Sequence, residues 1–427
     1  MRKNFKIQIA FFMIFLIIFL VHSCKKLGKE SDEIEINASS LSPVEELGKK
    51  LFFDANLSSP PGQPCSFCHG PEVGFTGPVD DINRKMAVYE GALEGRFGNR
   101  KPPTAAYAGD SPVLHIDEEG NFVGGMFWDG RATGDQLGDP LTEQAMGPFL
   151  NPLEMNAANK KEVITKVKNS DYAELFEKLW GAGSLDNEVD IDGSFEKVAR
   201  SIAAYERSAE VSPFSSKFDE FWSRARKKEL DVADISEDNW QDFQDLGLDS
   251  AELEGFILFA TKGKCAECHV LTSVKGRPPL FTDFTYDNLG VPKNPDLPFY
   301  NMASEWNADG AEWVDKGLGG FLEGTRKETE KYAEYAADNY GKHKVPTLRN
   351  VDLRPWEDFT KAFMHNGVFK TLKDVVHFYN TRDLADEEWP PPEIEANVNT
   401  EELGDLGLTP EEEAAIVLFM KTLSDRQ

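Results

Sequence analysis

Apolar residues follow two patterns along the chain. From Ile7 to Val21 they run almost unbroken behind Arg2, Lys3 and Lys6, and the sequence turns polar after His22-Ser23-Cys24. About 15 apolar residues fall short of the roughly 20 that a spanning helix needs, and a basic start before such a run is the pattern of a secretory signal peptide. Val21-His22-Ser23-Cys24 has the form of a bacterial lipobox, with His22 unusual within it, so Cys24 is the candidate lipid anchor and mature N-terminus. Residues 1–23 then form the signal peptide and 24–40 a polar tether; a retained N-terminal helix is the alternative. Either way the body of the chain is expected to be exported to the periplasm, and on the lipobox reading it is a membrane-anchored lipoprotein.

Beyond the tether, apolar positions return at helical spacing. Ser42-Pro43-Val44-Glu45 reads as a capping box with Pro at the first helical position, followed by Val44, Leu47, Leu51 and Phe52. Asp249-Ser250-Ala251-Glu252 repeats the box ahead of Leu253, Phe256, Ile257 and Ala260. Phe195, Val198, Ala199, Ile202 and Tyr205 share one helix face, as do Ile416, Phe419, Met420 and Leu423 behind a Thr409-Pro410-Glu411-Glu412 cap. Strand-like alternation is scarce. The pattern predicts a mainly α protein with long irregular loops, built from two similar halves over 41–240 and 241–427, with a linker in the acidic stretch Asp231–Asp249.

Composition narrows the function. The 427 residues are 40% hydrophobic and 28% charged, which is globular rather than disordered. A net charge of −28 argues against nucleic acid, whose phosphates are bound by Lys/Arg-rich surfaces.

Cysteine placement carries the chemistry. Of five cysteines, four form Cys65-Ser66-Phe67-Cys68-His69 and Cys265-Ala266-Glu267-Cys268-His269. Cys-x-x-Cys-His is the attachment signature of c-type haem: the thiols bond the porphyrin and the adjoining His ligates the iron. A shared Cys₄ zinc site or two exported disulfides leave both histidines unexplained. Each motif follows a capped helix and each half closes with another, so each half is expected to be a cytochrome c-like domain with one covalently bound c-type haem.

From about Ser42 to Ser424 the chain resembles the bacterial di-haem cytochrome c peroxidases and their MauG-like relatives. The resemblance rests on Leu51-Phe52-Phe53-Asp54, Gly74-Phe75-Thr76, Phe127-Trp128-Asp129-Gly130-Arg131-Ala132, Glu143-Gln144-Ala145 and Gly147-Pro148-Phe149-Leu150-Asn151-Pro152-Leu153-Glu154-Met155. In the second half it rests on Phe281-Thr282-Asp283, Asn288-Leu289-Gly290-Val291-Pro292, Val345-Pro346-Thr347-Leu348-Arg349-Asn350-Val351 and Met364-His365-Asn366-Gly367.

What the resemblance implies is a peroxidase reacting with hydrogen peroxide at the first haem and passing electrons through the second. Glu154 and Gln144 match the pocket pair that moves the proton when peroxide is split, and Trp128 matches the tryptophan between the haems. Arg131, Arg349 and His365 fall to haem propionates or the electron path. His69 and His269 are the proximal ligands, and Tyr379 stands where a Met or, in MauG-like enzymes, a Tyr ligates the second iron; His377 competes for that role. The sequence has no His between His69 and His115, so the loop after the first motif supplies no second ligand there, and the first haem reads as five-coordinate. His115 itself reads as an unrelated loop residue. The family binds Ca²⁺ partly through an Asn in an Arg-Asn-x-Pro-Thr stretch; in Asn99-Arg100-Lys101-Pro102-Pro103-Thr104 that position is Lys101, which puts calcium in doubt. The electron source is a small redox protein (a cytochrome c or cupredoxin) or, on the MauG-like alternative, Trp or Tyr residues of a partner protein. A bare di-haem electron carrier is the non-enzymatic alternative.

Overall fold

The computed structural model describes residues 41–186, 188–324 and 330–426. The signal, tether and Cys24 lie outside the described residues. Among those described, eleven α-helices are joined by long loops with short 3₁₀ turns, and strand is confined to two pairs of two-residue strands. β1 (His115–Ile116) pairs antiparallel with β2 (Phe122–Val123), and β3 (Tyr286–Asp287) pairs antiparallel with the distant β4 (His343–Lys344). No helix among the described residues is long and apolar enough to cross a membrane.

The four helices expected from periodicity are present, and their caps explain where they begin. α1 (Pro43–Phe53) starts where the Glu45 carboxylate accepts the Ser42 N–H at 2.6 Å. The next are α2 (Asp80–Lys85), α3 (Pro140–Leu150), α4 (Lys160–Lys168), α5 (Ala173–Trp180) and α6 (Ile191–Glu206). α7 (Lys217–Lys227) follows, then α8 (Ser250–Ala260), where Asp249 accepts the N–H groups of Ala251 and Glu252 while Glu252 accepts that of Asp249. The chain closes with α9 (Gly317–Leu322), α10 (Leu372–Thr381) and α11 (Pro410–Lys421), the last capped by Thr409.

Two helix pairs organise the two apolar clusters, α1 with α6 and α8 with α11. Each pair crosses on a glycine. A Cβ on Gly48 would stand 1.9 Å from the Ser201 carbonyl oxygen, and one on Gly255 would stand 1.9 Å from that of Ala415. Only a residue without a side chain lets the backbones approach so closely.

The first cluster gathers Leu47, Leu51 and Phe52 with Phe149, Phe195, Val198 and Tyr205, and runs on to Val211. The second begins at Phe218 and Phe221 and takes in Phe256, Phe259, Phe281, Val376 and Phe419. The acidic stretch that reads as a linker is not an open tether. Val232, Ile235, Phe243, Leu246 and Leu248 bury themselves in the second cluster, and α7 belongs with them. Acidic side chains between these apolar positions stay at the surface, which is why composition alone has the look of a linker.

Candidate active site

Both Cys-x-x-Cys-His motifs fold into the same object. Each opens with a 3₁₀ turn, Cys65–Phe67 or Cys265–Glu267, and the histidine N–H closes back on the first cysteine carbonyl at 3.0 and 2.9 Å respectively. The His69 ring Nδ1 lies 3.1 Å from the Phe75 carbonyl, and the His269 Nδ1 lies 2.8 Å from that of Phe281. Phe75 and Phe281 both hold left-handed backbone, at φ 56° and 55°, strain that aims each carbonyl at its imidazole. With Nδ1–H donating, Nε2 of each ring is a bare lone pair suited to a metal. Burial lowers both histidine pKa values, which disfavours a second proton on either ring.

The four described cysteines are free thiols. Burial pushes Cys65 and Cys265 up to about 12 and raises Cys68 and Cys268 as well. Zinc takes thiolates, which burial disfavours at all four. Cys65 packs against the first apolar cluster and Cys265 against the second, so no four-cysteine site forms. Paired thiols beside an imidazole whose Nδ1 is bound to a backbone carbonyl and whose Nε2 is open, twice over, fit covalently attached haem.

A large cavity opens beside the second motif, lined among others by Cys268, His269, Arg349, Tyr379 and, from the first half, Lys101 and Trp128. Arg349 is 1% exposed; it pairs with Asp219 at 2.8 Å and donates to the Pro279 carbonyl, while its Nη2 has no hydrogen-bond partner among the described residues. The guanidinium carbon sits 5.1–5.6 Å from the centres of the Tyr107, Phe214, Phe218 and Phe281 rings, and a buried N–H among them calls for an acceptor. Tyr379 reaches the cavity from α10, and burial, then the neighbouring cysteines, raises its phenol pKa. His377, one helical step away, points elsewhere: it is 37% exposed on its side chain, bonds Glu413 at 2.9 Å and sits 3.6 Å from Glu387.

Near the first motif, α3 ends at a Pro148-containing turn that presents Glu154. Asn151 donates to its carboxylate at 2.8 Å. Burial raises the Glu154 pKa, with Arg131 and Asn151 pulling the other way, and the Glu154 charge in turn raises both Cys65 and Cys68. Gln144 lies half-buried on α3. Arg131 stacks 3.7 Å from the centre of the Phe127 ring and pairs with Asp129 at 3.0 Å, so its guanidinium already has a protein carboxylate. His115 lies exposed on β1 with Nδ1 at 2.8 Å from the Val113 carbonyl.

Trp128 is 8% exposed, and its Nε1–H donates to the Lys101 carbonyl at 2.9 Å. Around it runs a buried polar network in which Arg100, Asp129, Arg131 and His365 fall within quoted sequence stretches and Asp315, His343 and Glu393 do not. Arg100 joins Asp129 and Asp315, at 2.6 Å to each. The His343 Nε2 lies 3.4 Å from Asp315, the His343 ring stacks on His365 with centroids 3.6 Å apart, and His365 lies 3.8 Å from Glu393. Those last three stand singly along the chain, His343 on β4, which leaves no periodic or motif signal.

Two haem-attachment turns, a buried carboxyl beside one and an indole beside the cavity of the other are the parts of a di-haem oxidoreductase. Residues 42–227 match the family described as di-haem cytochrome c peroxidase. The chain is 34% identical over 395 residues to the methylamine utilization protein MauG of Paracoccus denitrificans (strain Pd 1222), covering 89% of this chain and 88% of that one. It is 29% identical to the cytochrome c551 peroxidase of Nitrosomonas europaea, over 78% of this chain and 71% of that one. Among solved structures, the diheme peroxidase BthA from Burkholderia thailandensis E264 matches with a TM-score of 0.70 at 27% identity, covering 91% of this chain and 89% of that one. The chain belongs to the di-haem cytochrome c peroxidase and MauG family, a family of peroxide-dependent oxidoreductases that carry two c-type haems.

Proposed function

We propose that the chain is a di-haem peroxidase that reduces hydrogen peroxide with electrons from a protein donor, and that its two halves are cytochrome c-like domains. Cys65, Cys68 and His69 would hold one haem, and Cys265, Cys268, His269 and Tyr379 the other; the haems supply the irons for peroxide binding and electron storage. The observation that carries the reading is Glu154, a buried carboxyl with a raised pKa whose charge reaches the first attachment turn. Such a group takes up a proton more readily than an exposed carboxylate, and can carry one from the inner peroxide oxygen to the leaving one. Gln144, on the same segment, is assigned to orienting the bound peroxide. Trp128, buried and bordering the second cavity, is assigned to relaying electrons between the halves. Arg349 would receive a propionate on its free Nη2. We further propose a periplasmic location and a lipid anchor at Cys24.

Tyr379 favours a second reading, a MauG-like enzyme that oxidises Trp or Tyr residues of a partner protein. The phenol lines the second cavity while His377 is turned to Glu413. A phenolate on iron stabilises the ferric state. The experiment is electron paramagnetic resonance of the haem-loaded ferric protein and of Tyr379→Phe. The expected result is one high-spin and one low-spin signal, the low-spin signal lost on substitution. Its survival would remove Tyr379 as ligand, and inertness of the diferric protein to peroxide would favour the peroxidase reading with prior reduction.

A further inference from the structure

The Lys101 ammonium lines the cavity of the second motif, burial lowers its pKa to about 8, no carboxylate is paired with it among the described residues, and its place is fixed at both ends. Its backbone N–H donates to the His365 carbonyl at 2.9 Å and its own carbonyl accepts the Trp128 Nε1–H at 2.9 Å, so the main chain of one residue ties the indole edge to the second half. Its Nζ turns back to the Pro102 carbonyl at 3.2 Å and Thr76 Oγ1 at 3.4 Å, which leaves it 5.8 Å from the centre of the Trp128 ring. A second lysine, Lys361, is held near it by the carbonyls of Val73, Asn350 and Leu353, each at 2.9 Å, and burial, then the Lys101 charge, lowers its pKa to about 7. Both lysines and Trp128 line the cavity of the second motif, and the Lys101 charge also reaches His69 at the first.

We propose that Lys101 is a positioning residue that sets how readily Trp128 gives up an electron, by acting as a built-in cation between the two haem-attachment sites. The proposal rests on Trp128 being the electron relay. Removing one electron leaves the indole a radical cation, and that electron is consumed, with a second electron and two protons, in reducing hydrogen peroxide to two waters. A fixed positive charge near the ring opposes the new one. At 5.8 Å and an effective dielectric constant of about 20, the Coulomb term corresponds to a factor on the order of 100 in the oxidation equilibrium. The hole is therefore held off the indole, which passes electrons without storing the oxidising equivalent. Because the charge is covalent, a chelator cannot strip it, and no divalent ion is needed beside Trp128.

The test compares haem-loaded wild type, Lys101→Met, Lys101→Gln, Lys101→Arg and Trp128→Phe, each checked for two haems and an intact thermal transition. Samples are freeze-quenched after mixing with hydrogen peroxide, and the tryptophan radical is quantified by paramagnetic resonance. Loss of the charge in the Met and Gln variants is expected to raise the radical yield at least tenfold, with Arg keeping the wild-type level. Trp128→Phe is expected to abolish the signal. Wild type treated with chelator should behave as untreated, with no stoichiometric calcium by elemental analysis. Met and Gln variants that match wild type while Trp128→Phe removes the radical would overturn the charge proposal and leave the relay standing. A radical unaffected by Trp128→Phe would overturn the relay itself. One calcium per chain, with a radical yield altered by chelation, would overturn the built-in cation.

Discussion

At Glu154 two influences oppose each other: burial favours the neutral carboxyl, whereas Arg131 and the Asn151 amide favour the anion. Burial wins, and a carboxyl poised this way is worth most as an acid/base group. Glu154→Gln should keep both haems yet slow the reaction with peroxide by roughly 10²–10⁴-fold in stopped-flow mixing. An unchanged rate would take Glu154 out of the mechanism. Glu206, the last residue of α6, is a buried carboxyl the proposed chemistry does not use, and its Oε2 has no hydrogen-bond partner among the described residues. Burial lifts it from 4.5 to about 8, with Arg207 opposing and Asp139 adding. A pKa raised on folding contributes stability that is whole below 4.5 and lost as pH rises through 8. Glu206→Gln removes that dependence. Wild type should lose stability relative to the variant between about pH 5 and 8, at up to about 1.4 kcal/mol per pH unit in denaturant titrations. Parallel pH profiles would show that the carboxyl is not buried uncompensated.

The glycine crossings show which parts of an element its own sequence reveals. Caps and apolar stripes are local, so the starts and buried faces of α1, α6, α8 and α11 are legible in the order of residues alone. Gly48 and Gly255 read only as gaps in a helical pattern, because their reason lies on the partner helix, at Ser201 and Ala415. The acidic stretch after α7 reads as a linker for the same cause: its burial is set by what α8 and α11 offer it, not by its charge. A Cβ forced against a backbone oxygen has no flexible side chain to displace. Gly255→Ala and Gly48→Ala should therefore each cost on the order of 1–3 kcal/mol and lower the thermal midpoint by several degrees. Gly98, whose added Cβ would meet nothing nearer than the Arg100 carbonyl at 3.9 Å, is the control expected to tolerate Ala. Equal melting of all three variants would mean that the helix pairs do not cross on these glycines.

Across the whole molecule, the two halves are joined by charge as well as by apolar contact. Arg100 reaches Asp129 on its own side and grips Asp315 with two hydrogen bonds, at 2.6 and 2.7 Å, on the other. The cysteines, histidines and motif residues are legible in the sequence because they form contiguous words. The junction's pairing is not: Arg100 and Asp129 fall in such words, but Asp315, His343 and Glu393 do not, and they meet the others only once both halves have folded. The junction sits against Trp128, so the contact that holds the halves also holds the segment between the two attachment turns. Despite burial, the Arg100 charge keeps Asp129 at about 2 and Asp315 well below the ordinary 3.8. Carboxylates depressed on folding contribute stability present above 3.8 and lost as pH falls through 2. Arg100→Met leaves Asp315 with His343 and Asp129 with Arg131, each short of its main partner. Removing one member of a buried ionic group costs on the order of 3–5 kcal/mol, since the remaining charges stay desolvated. The variant should be destabilised by about that amount at pH 7. Its deficit should shrink toward pH 4, because unpaired buried carboxylates gain protons early while those of wild type do not. Urea titrations of the haem-loaded protein at the two pH values measure this, and a deficit independent of pH would mean that the Arg100 junction acts through packing rather than charge.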